Sequence, residues 1–201
     1  MRVAVLDYGM GNLRSVARAI EHVGGSAEVS DDPDRVLRTD ALVVPGVGNF
    51  GACARNLRRR GLVECVRRMA EGGRPVLAIC VGMQLLFEQS EEASDPGLGL
   101  LPGVVRRLPG EVKVPHMGWN VVRWTGSHRL IEGIPSGTRF YFVHSYAPDV
   151  SPGLTAGVTE HGRPFSAAVA RGSVLGTQFH PEKSGEAGLL IYERLVKEAA
   201  A

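Results

Sequence analysis

The sequence has little excess charge of either sign and no long apolar run. Its 23 Lys and Arg residues are interspersed with 21 Asp and Glu residues, which argues against a nucleic-acid or anionic membrane surface. The longest apolar run, residues 75–87, is shorter than the roughly 20 residues that a membrane-spanning helix needs. The first residues are apolar but lack the pattern of a signal peptide. We therefore expect a cytoplasmic protein that binds neither nucleic acid nor membrane.

Cysteine is also scarce. The three cysteines, Cys53, Cys65 and Cys80, cannot all be paired within one chain, which fits a reducing compartment and raises the possibility of a reactive thiol. No set of histidines and cysteines has the spacing of a metal site, so we expect neither a metal nor another cofactor. Cys53 and Cys65 lie in sequence of helical pattern and are interpreted as core residues.

The first half of the chain alternates short apolar strands with helical patterns, and the second half is rich in strands. Strands are predicted at 2–8, 27–30, 41–44 and 75–79, and helices at 13–23, over one long stretch around 57–69, and at 83–89. The second half contains five further strand patterns, at 103–108, 120–124, 139–143, 156–159 and 174–179, and a closing helix at 186–200. This order predicts a single α/β domain spanning residues 1–201, with a mostly parallel central sheet flanked by helices.

A candidate nucleophile follows the fourth predicted strand. Cys80 lies between the apolar segment ending at Ile79 and the helical pattern that begins after Gly82, the strand-turn-helix setting of a nucleophile elbow. At the start of a helix, free backbone N–H groups and the positive end of the dipole favour a thiolate. The alternative is an ordinary buried cysteine at the end of a strand.

A candidate base follows the last predicted strand. Pro181 restricts His180 to extended conformations, and side chains two apart on an extended chain project to the same side. Glu182 can therefore orient the imidazole of His180, completing a Cys-His-Glu arrangement for acyl transfer. The alternative is that this His-Pro-Glu segment is an ordinary polar stretch of the protein surface.

Two glycine-containing turns follow other strands. The loop 45–48 ends the third strand and can turn peptide N–H groups toward a developing oxyanion, although a plain turn explains it equally well. The turn at Gly9 and Gly11 suggests a dinucleotide site, but Arg14 stands where the third glycine would be, and we reject that interpretation.

Together these motifs carry a resemblance. The segments 45–48, 80–84 and 179–184 resemble those of the triad-type, class I glutamine amidotransferases in order and spacing across essentially the whole chain. Two more segments, 7–13 and 115–120, are similar to those of the glutaminase subunits of imidazole glycerol phosphate synthases. The resemblance implies a flavodoxin-like fold and a glutaminase in histidine biosynthesis. One departure is Ala78, which stands where the family elbow usually has glycine.

The resemblance also implies the roles of individual residues. Cys80 would be the nucleophile, His180 the general base and then acid, and Glu182 its orienting partner. The oxyanion would be bound by backbone N–H groups of Val47, Gly48 and Val81. Glutamine would be bound by Gln84, Glu92, Ser145 and Tyr146.

A partner protein is implied as well. In this family a (β/α)₈ barrel cyclase forms a heterodimer with the glutaminase and uses its channelled ammonia to make imidazole glycerol phosphate and aminoimidazole carboxamide ribotide. Positions in the matched motifs imply four interface residues: Asn12, Trp119, Tyr141 and Lys183. Core packing is the alternative for Trp119. The remaining alternatives for the chain are a glutaminase of another synthase and a Cys-His-Glu hydrolase of related fold that acts on peptides or esters.

Overall fold

The structure is a computed structural model that describes residues 1–200. Its strands are β1 (Arg2–Leu6), β2 (Ser26–Ser30), β3 (Ala41–Val44), β4 (Val76–Ile79), β5 (Phe87–Ser90), β6 (Leu101–Arg107), β7 (His116–Trp124), β8 (Thr138–His144), β9 (Tyr146–Pro148), β10 (Thr155–His161), β11 (Arg163–Arg171) and β12 (Val174–Thr177). Its α-helices are α1 (Leu13–His22), α2 (Pro33–Val36), α3 (Phe50–Arg59), α4 (Val63–Glu71), α5 (Val81–Gln84) and α6 (Gly185–Glu198). Short 3₁₀ turns cover Arg129–Ile131 and Pro181–Lys183.

Nine of these strands form one sheet in the order β2-β1-β3-β4-β12-β11-β10-β7-β8. The first five run parallel, in the flavodoxin-like order, and the remaining strands pair antiparallel. A second sheet has the order β5-β6-β9. The expected α/β class is confirmed, with the qualification that the parallel strands make up only about half of the large sheet.

Burial explains why β3, β4 and β12 occupy the centre. Every residue of these strands is buried, as expected for parallel strands covered on both faces. In the antiparallel half, the aromatic rings of Phe140 and Phe179 stack at 4.1 Å between centroids and fill the core. Parallel neighbours bring their carboxyl ends to the same edge of the sheet. The segments that follow β3, β4 and β12 therefore meet there.

Two local predictions were wrong, and some elements were not predicted at all. The predicted long helix around 57–69 is two helices, because the chain turns at Gly61, whose φ of +67° is costly for residues other than glycine. The helix predicted at 83–89 ends at Gln84, and the chain continues as β5, which pairs with β6. The pattern also missed β11, whose centre is buried on both faces and therefore lacks the alternation of a half-buried strand.

None of the helices in residues 1–200 combines the length and the apolarity that crossing a membrane requires.

Candidate active site

A cavity of about 250 Å³ lies at the carboxyl edge of the parallel strands. Its lining comes from the segments that follow β3, β4, β5 and β12, from the residue before β7, and from the end of β8 and the start of β9. The lining residues are Val47, Gly48, Cys80, Val81, Gln84, Glu92, Pro115, Val143, His144, Ser145, Tyr146 and His180. Of the residues expected at the catalytic, oxyanion and substrate positions, the structure brings all but Glu182 to the wall of this cavity. Glu182 contacts His180 from outside the cavity wall.

Cys80 adopts a strained turn between β4 and α5. Its φ of +53° makes it the only non-glycine residue with positive φ among residues 1–200. Such a conformation costs about 1–3 kcal/mol and persists only where surrounding structure imposes it, as at a nucleophile elbow. Gly82 permits the turn, because a Cβ there would collide with the carbonyl of Val44. Ala78 is buried in β4, where it pairs with Gly176 of β12 and Val44 of β3.

His180 and Glu182 form a buried pair. His180 Nδ1 donates to Glu182 Oε1 at 2.8 Å, and both side chains are only 1% exposed. The backbone fixes the ring, since His180 N donates to the Tyr141 carbonyl at 2.9 Å and the Ser184 hydroxyl donates to the His180 carbonyl at 2.7 Å. The other ring nitrogen, Nε2, makes no hydrogen bond of good geometry within residues 1–200. It is therefore free to exchange a proton with a reacting group.

The charge of His180 follows from its partners. Burial by itself lowers the pKa of His180, but interactions with Cys80 and Glu182 outweigh burial and raise the pKa to about 10. The ring is therefore protonated at neutral pH. A histidine in that state is prepared to protonate a leaving amine.

The loop 45–48 packs directly against the Cys80 turn. A Cβ on Gly46 would collide with the backbone of Gly82, so only glycine permits this approach. Two carbonyls of the loop accept hydrogen bonds from buried side chains. The Tyr8 hydroxyl donates to Pro45 O, and Cys53 Sγ donates to Val47 O at 3.5 Å. The N–H groups of Val47 and Gly48 have no acceptor within the described chain, which leaves them available to a ligand.

The residues expected to bind glutamine are partly engaged within the protein. Gln84 Nε2 donates to Tyr146 O at 2.9 Å and to Gln178 Oε1 at 3.0 Å. Glu92 Oε2 accepts from Phe50 N at 2.7 Å and so caps the beginning of α3, next to the glycine loop. Ser145 and Tyr146 lie at the junction of β8 and β9 on the wall of the cavity.

Sequence reasoning missed two polar residues near the nucleophile. Gln178 is fully buried and its Nε2 lies 3.6 Å from Cys80 Sγ. His144, to which the sequence analysis assigns no role, lines the cavity itself. The sequence signal for Gln178 is its place at the end of a buried strand, since a buried amide requires hydrogen-bond partners.

Three of the four residues expected at an interface form a cluster at the surface, with Trp119 and Lys183 exposed and Tyr141 half-buried. Trp119 is 52% exposed and packs edge-on against Tyr141, with 6.1 Å between ring centroids. Lys183 Nζ lies 5.8 Å from the centre of the Tyr141 ring. Asn12 immediately precedes α1, a helix that contacts the Pro181–Lys183 turn. The exposure of Trp119 contradicts core packing as its role.

The part of the chain that the structure describes contains no group of three or more His, Cys, Asp or Glu residues arranged to hold a metal ion.

Comparisons with known proteins identify the family. The family model for "Glutamine amidotransferase class-I" matches residues 4–196. The chain is 48% identical to imidazole glycerol phosphate synthase subunit HisH of Moorella thermoacetica, covering 98% of this chain and 96% of that protein. It is 51% identical to the HisH subunit of Symbiobacterium thermophilum, covering 94% of this chain and 90% of that one.

Solved structures agree on the fold. PurLQS from Thermotoga maritima superposes with a TM-score of 0.73 at 18% identity, covering 98% of this chain and 97% of that one. A crystal structure of a glutamine amidotransferase gives a TM-score of 0.74 at 23% identity, covering 99% of both chains. The resemblance carried by the motifs is thus confirmed at the level of the whole chain. This chain belongs to the class I glutamine amidotransferases and, within that family, to the HisH subunits of imidazole glycerol phosphate synthase.

Proposed function

We propose that Cys80, His180 and Glu182 hydrolyse glutamine to glutamate and ammonia as a catalytic triad. The observation that carries this proposal is the convergence of two distant loops on one cavity, with Cys80 held at a strained elbow and His180 oriented by a buried carboxylate. The pKa of His180, raised to about 10 because its interactions with Cys80 and Glu182 outweigh burial, supports a protonated imidazole that can donate to the leaving ammonia.

The reaction proceeds in two steps. The Cys80 thiolate attacks the side-chain amide carbon of glutamine, and the C–N bond of the resulting tetrahedral intermediate breaks as His180 protonates the leaving ammonia. A water molecule, deprotonated by His180, then attacks the thioester and releases glutamate and the thiolate. Glu182 keeps the His180 ring in the productive tautomer and stabilises its charged form.

The oxyanion of each tetrahedral intermediate is stabilised by backbone N–H groups. We assign this role to Val81, next to the nucleophile, and to Val47 and Gly48 of the glycine loop. Each such donor contributes roughly 3–4 kcal/mol to transition-state stabilisation. The peptide between Gly46 and Val47 is the one whose carbonyl is not held by Tyr8 or Cys53. A partner that reorients this loop can therefore switch activity on, and we propose that the isolated chain has low activity.

The remaining pocket residues select the substrate. Glu92 supplies a carboxylate for the α-ammonium group of glutamine, and the backbone at Ser145 and Tyr146 lines the same end of the cavity. Gln84 contributes mainly by holding Tyr146 in place, because its amide N–H groups are already engaged.

The ammonia requires an acceptor. Because the relatives are named as subunits of a synthase, we propose a heterodimer with a (β/α)₈ barrel cyclase that forms imidazole glycerol phosphate and aminoimidazole carboxamide ribotide. Free ammonia would be protonated in neutral water, so the interface has to shield its passage. The surface cluster of Trp119, Tyr141 and Lys183, together with Asn12, is the proposed contact surface, since an exposed tryptophan packed against a tyrosine is a typical interface anchor. The three free cysteines support a reducing compartment such as the cytoplasm.

The test is a complex of the chain with its cyclase, assayed with glutamine and separately with ammonium salts. We expect Cys80→Ala to abolish glutamine-dependent synthesis and to retain ammonia-dependent synthesis. Cys65→Ala, at a buried cysteine of α4, is the matched control and should retain both. Glutamine hydrolysis by Cys80→Ala would refute the mechanism, and full glutaminase activity of the isolated chain would refute control by the partner.

A further inference from the structure

A continuous chain of buried polar groups ends on the nucleophile. Gln178 Nε2 donates to Cys80 Sγ at 3.6 Å, while Gln178 Oε1 accepts from Gln84 Nε2 at 3.0 Å. The same Gln84 nitrogen donates to the carbonyl of Tyr146 at 2.9 Å. The orientation of the Gln178 amide is thereby fixed, because only its oxygen can accept from Gln84. Its N–H group must then point at the sulfur.

The chain continues on the other side of Tyr146. His144 Nδ1 donates to the Tyr146 carbonyl at 2.9 Å, which leaves His144 Nε2 as an acceptor for His116 Nδ1 at 3.0 Å. Asn120 donates to His116 Nε2 at 3.2 Å and to the carbonyl of Glu160 at 2.9 Å. Carbonyl acceptors at Tyr146 and Glu160 fix both tautomers and the amide orientation, so each ring nitrogen has a defined role.

The two histidines are neutral. Burial and the neighbouring ring of His161 lower the pKa of His116 to about 4, and burial together with His116 lowers the pKa of His144 to about 3. Two neutral imidazoles and two amides in a protein interior are costly unless every donor and acceptor is paired. Apolar side chains of similar size would fill the same space without that requirement, so packing alone does not account for them.

The sulfur has few partners that can stabilise its negative charge. Cys80 Sγ also contacts the carbonyl of Val143 at 3.8 Å, which can only accept a hydrogen bond. Once the thiol loses its proton, that carbonyl repels the sulfur, and Gln178 is the side-chain amide positioned to donate to it. A donor to a charged group gives a stronger hydrogen bond than a neutral pair does.

We infer that Gln178 stabilises the Cys80 thiolate through its N–H group and that Gln84, His144 and His116 are positioning residues that hold this amide in place. The chain links β7, at His116 and Asn120, to the reacting sulfur. This inference rests on the proposed role of Cys80 and adds to it a residue that touches the reacting atom and a route by which changes at β7 reach it.

The first experiment compares Gln178→Leu with Gln89→Leu, a matched change at an exposed glutamine on β5. Two quantities are measured in the complex: the alkylation rate of Cys80 by iodoacetamide at pH 7, followed by peptide mass spectrometry, and the glutaminase kcat and KM. We expect Gln178→Leu to slow alkylation and kcat each about tenfold with KM within about twofold. Gln178→Glu, which retains the size but removes the donor, should show at least the same loss.

The second experiment tests the positioning role of His116. His116→Phe retains a ring for stacking on Phe142 but removes both hydrogen bonds. We expect alkylation about threefold slower, and the double variant His116→Phe with Gln178→Leu no slower than Gln178→Leu alone, because both changes break one chain. Asn120→Leu, at a half-buried position, repeats the test if His116→Phe does not fold. Independent, additive effects would refute the positioning role.

The outcomes separate this inference from the proposed function. If Cys80→Ala retains glutaminase activity, the triad itself is wrong. If activity requires Cys80 but Gln178→Leu and Gln178→Glu match Gln89→Leu in alkylation rate and kcat, the triad stands and the inference is overturned.

Discussion

The buried histidine His180 and the buried pair of His116 and His144 lie near the same cavity but differ in charge. Burial lowers the pKa in both sets, yet the pKa of His180 is raised to about 10 while those of His116 and His144 fall to about 4 and about 3. The difference lies in the partners: His180 faces a carboxylate and a thiol, whereas His116 and His144 face an amide, a carbonyl and each other. An anionic partner, not burial, decides the protonation state here.

Removing the negative charge of Glu182 should have the largest effect on the difference in pKa between His180 and the two neutral histidines. Glu182→Gln is expected to lower the pKa of His180 and to allow the wrong tautomer, so that glutaminase kcat falls by about 10³-fold. The measurement is steady-state hydrolysis in the complex, with pH profiles of kcat for both enzymes. Glu193→Gln, which disrupts an exposed pair with Lys197, is the control and should change kcat by less than about twofold. Equal effects of the two substitutions would contradict the special role of Glu182.

The neutral pair makes the fold sensitive to acid. Since the pKa of His116 in the folded chain is lowered to about 4 by burial and by His161, the unfolded chain binds more protons below pH 6.5. Stability therefore falls as pH drops from 6.5 toward 4. At pH 5 each such histidine costs about 2 kcal/mol of unfolding free energy relative to pH 7.

Urea unfolding at pH 7 and pH 5 tests this directly. His116→Phe should reduce the loss of stability between the two pH values by about 2 kcal/mol, whatever its effect at pH 7. His22→Phe, at an exposed position in the last turn of α1, should leave the loss unchanged. An unchanged pH dependence in His116→Phe would show that His116 is not neutral in the folded chain.

The contribution of His180 to stability should depend on pH in the opposite direction. Its interactions with Cys80 and Glu182 outweigh burial and raise its pKa to about 10, so its contribution to stability is complete below pH 6.5 and is lost as pH rises toward 10. Between pH 7 and pH 9 we expect a loss of about 2 kcal/mol in the wild type. Unfolding curves of His180→Asn over the same range should lack this loss, and an identical loss in the variant would assign it to other groups.

The sequence predicted the catalytic residues of the site but not the buried histidines beside them. Cys80 and His180 follow apolar strands directly, and such loops must meet at the carboxyl edge of a parallel sheet, so their proximity could be foreseen. His116 and His144 meet by antiparallel pairing of β7 with β8, and that register depends on long-range contacts that no local pattern encodes. Gln178 was missed because one glutamine does not alter the apolar pattern of a strand.

The smallest effect on glutaminase kcat is expected from a change next to the loop 45–48. Two buried cysteines, Cys53 and Cys65, allow a matched comparison. Cys53 and Cys65 are both buried on helices, and burial raises the pKa of each thiol to about 11, so both are protonated donors. Cys53 donates to the carbonyl of Val47, whereas Cys65 donates to Leu62, just before its own helix. In a trans peptide the N–H group points away from the carbonyl, so holding Val47 O fixes the direction of the Gly48 N–H group.

Loss of the hydrogen bond from Cys53 to the Val47 carbonyl should make the direction of the Gly48 N–H group less fixed without removing this donor. We expect Cys53→Ala to lower glutaminase kcat in the complex by about threefold with KM unchanged, because a weak thiol hydrogen bond contributes less than about 1 kcal/mol. Cys65→Ala creates a similar cavity and should leave kcat within experimental error. Equal losses in both variants would mean that cavity formation, rather than the Val47 carbonyl, links these cysteines to activity. A loss confined to Cys53→Ala would show that α3 helps to hold the oxyanion loop.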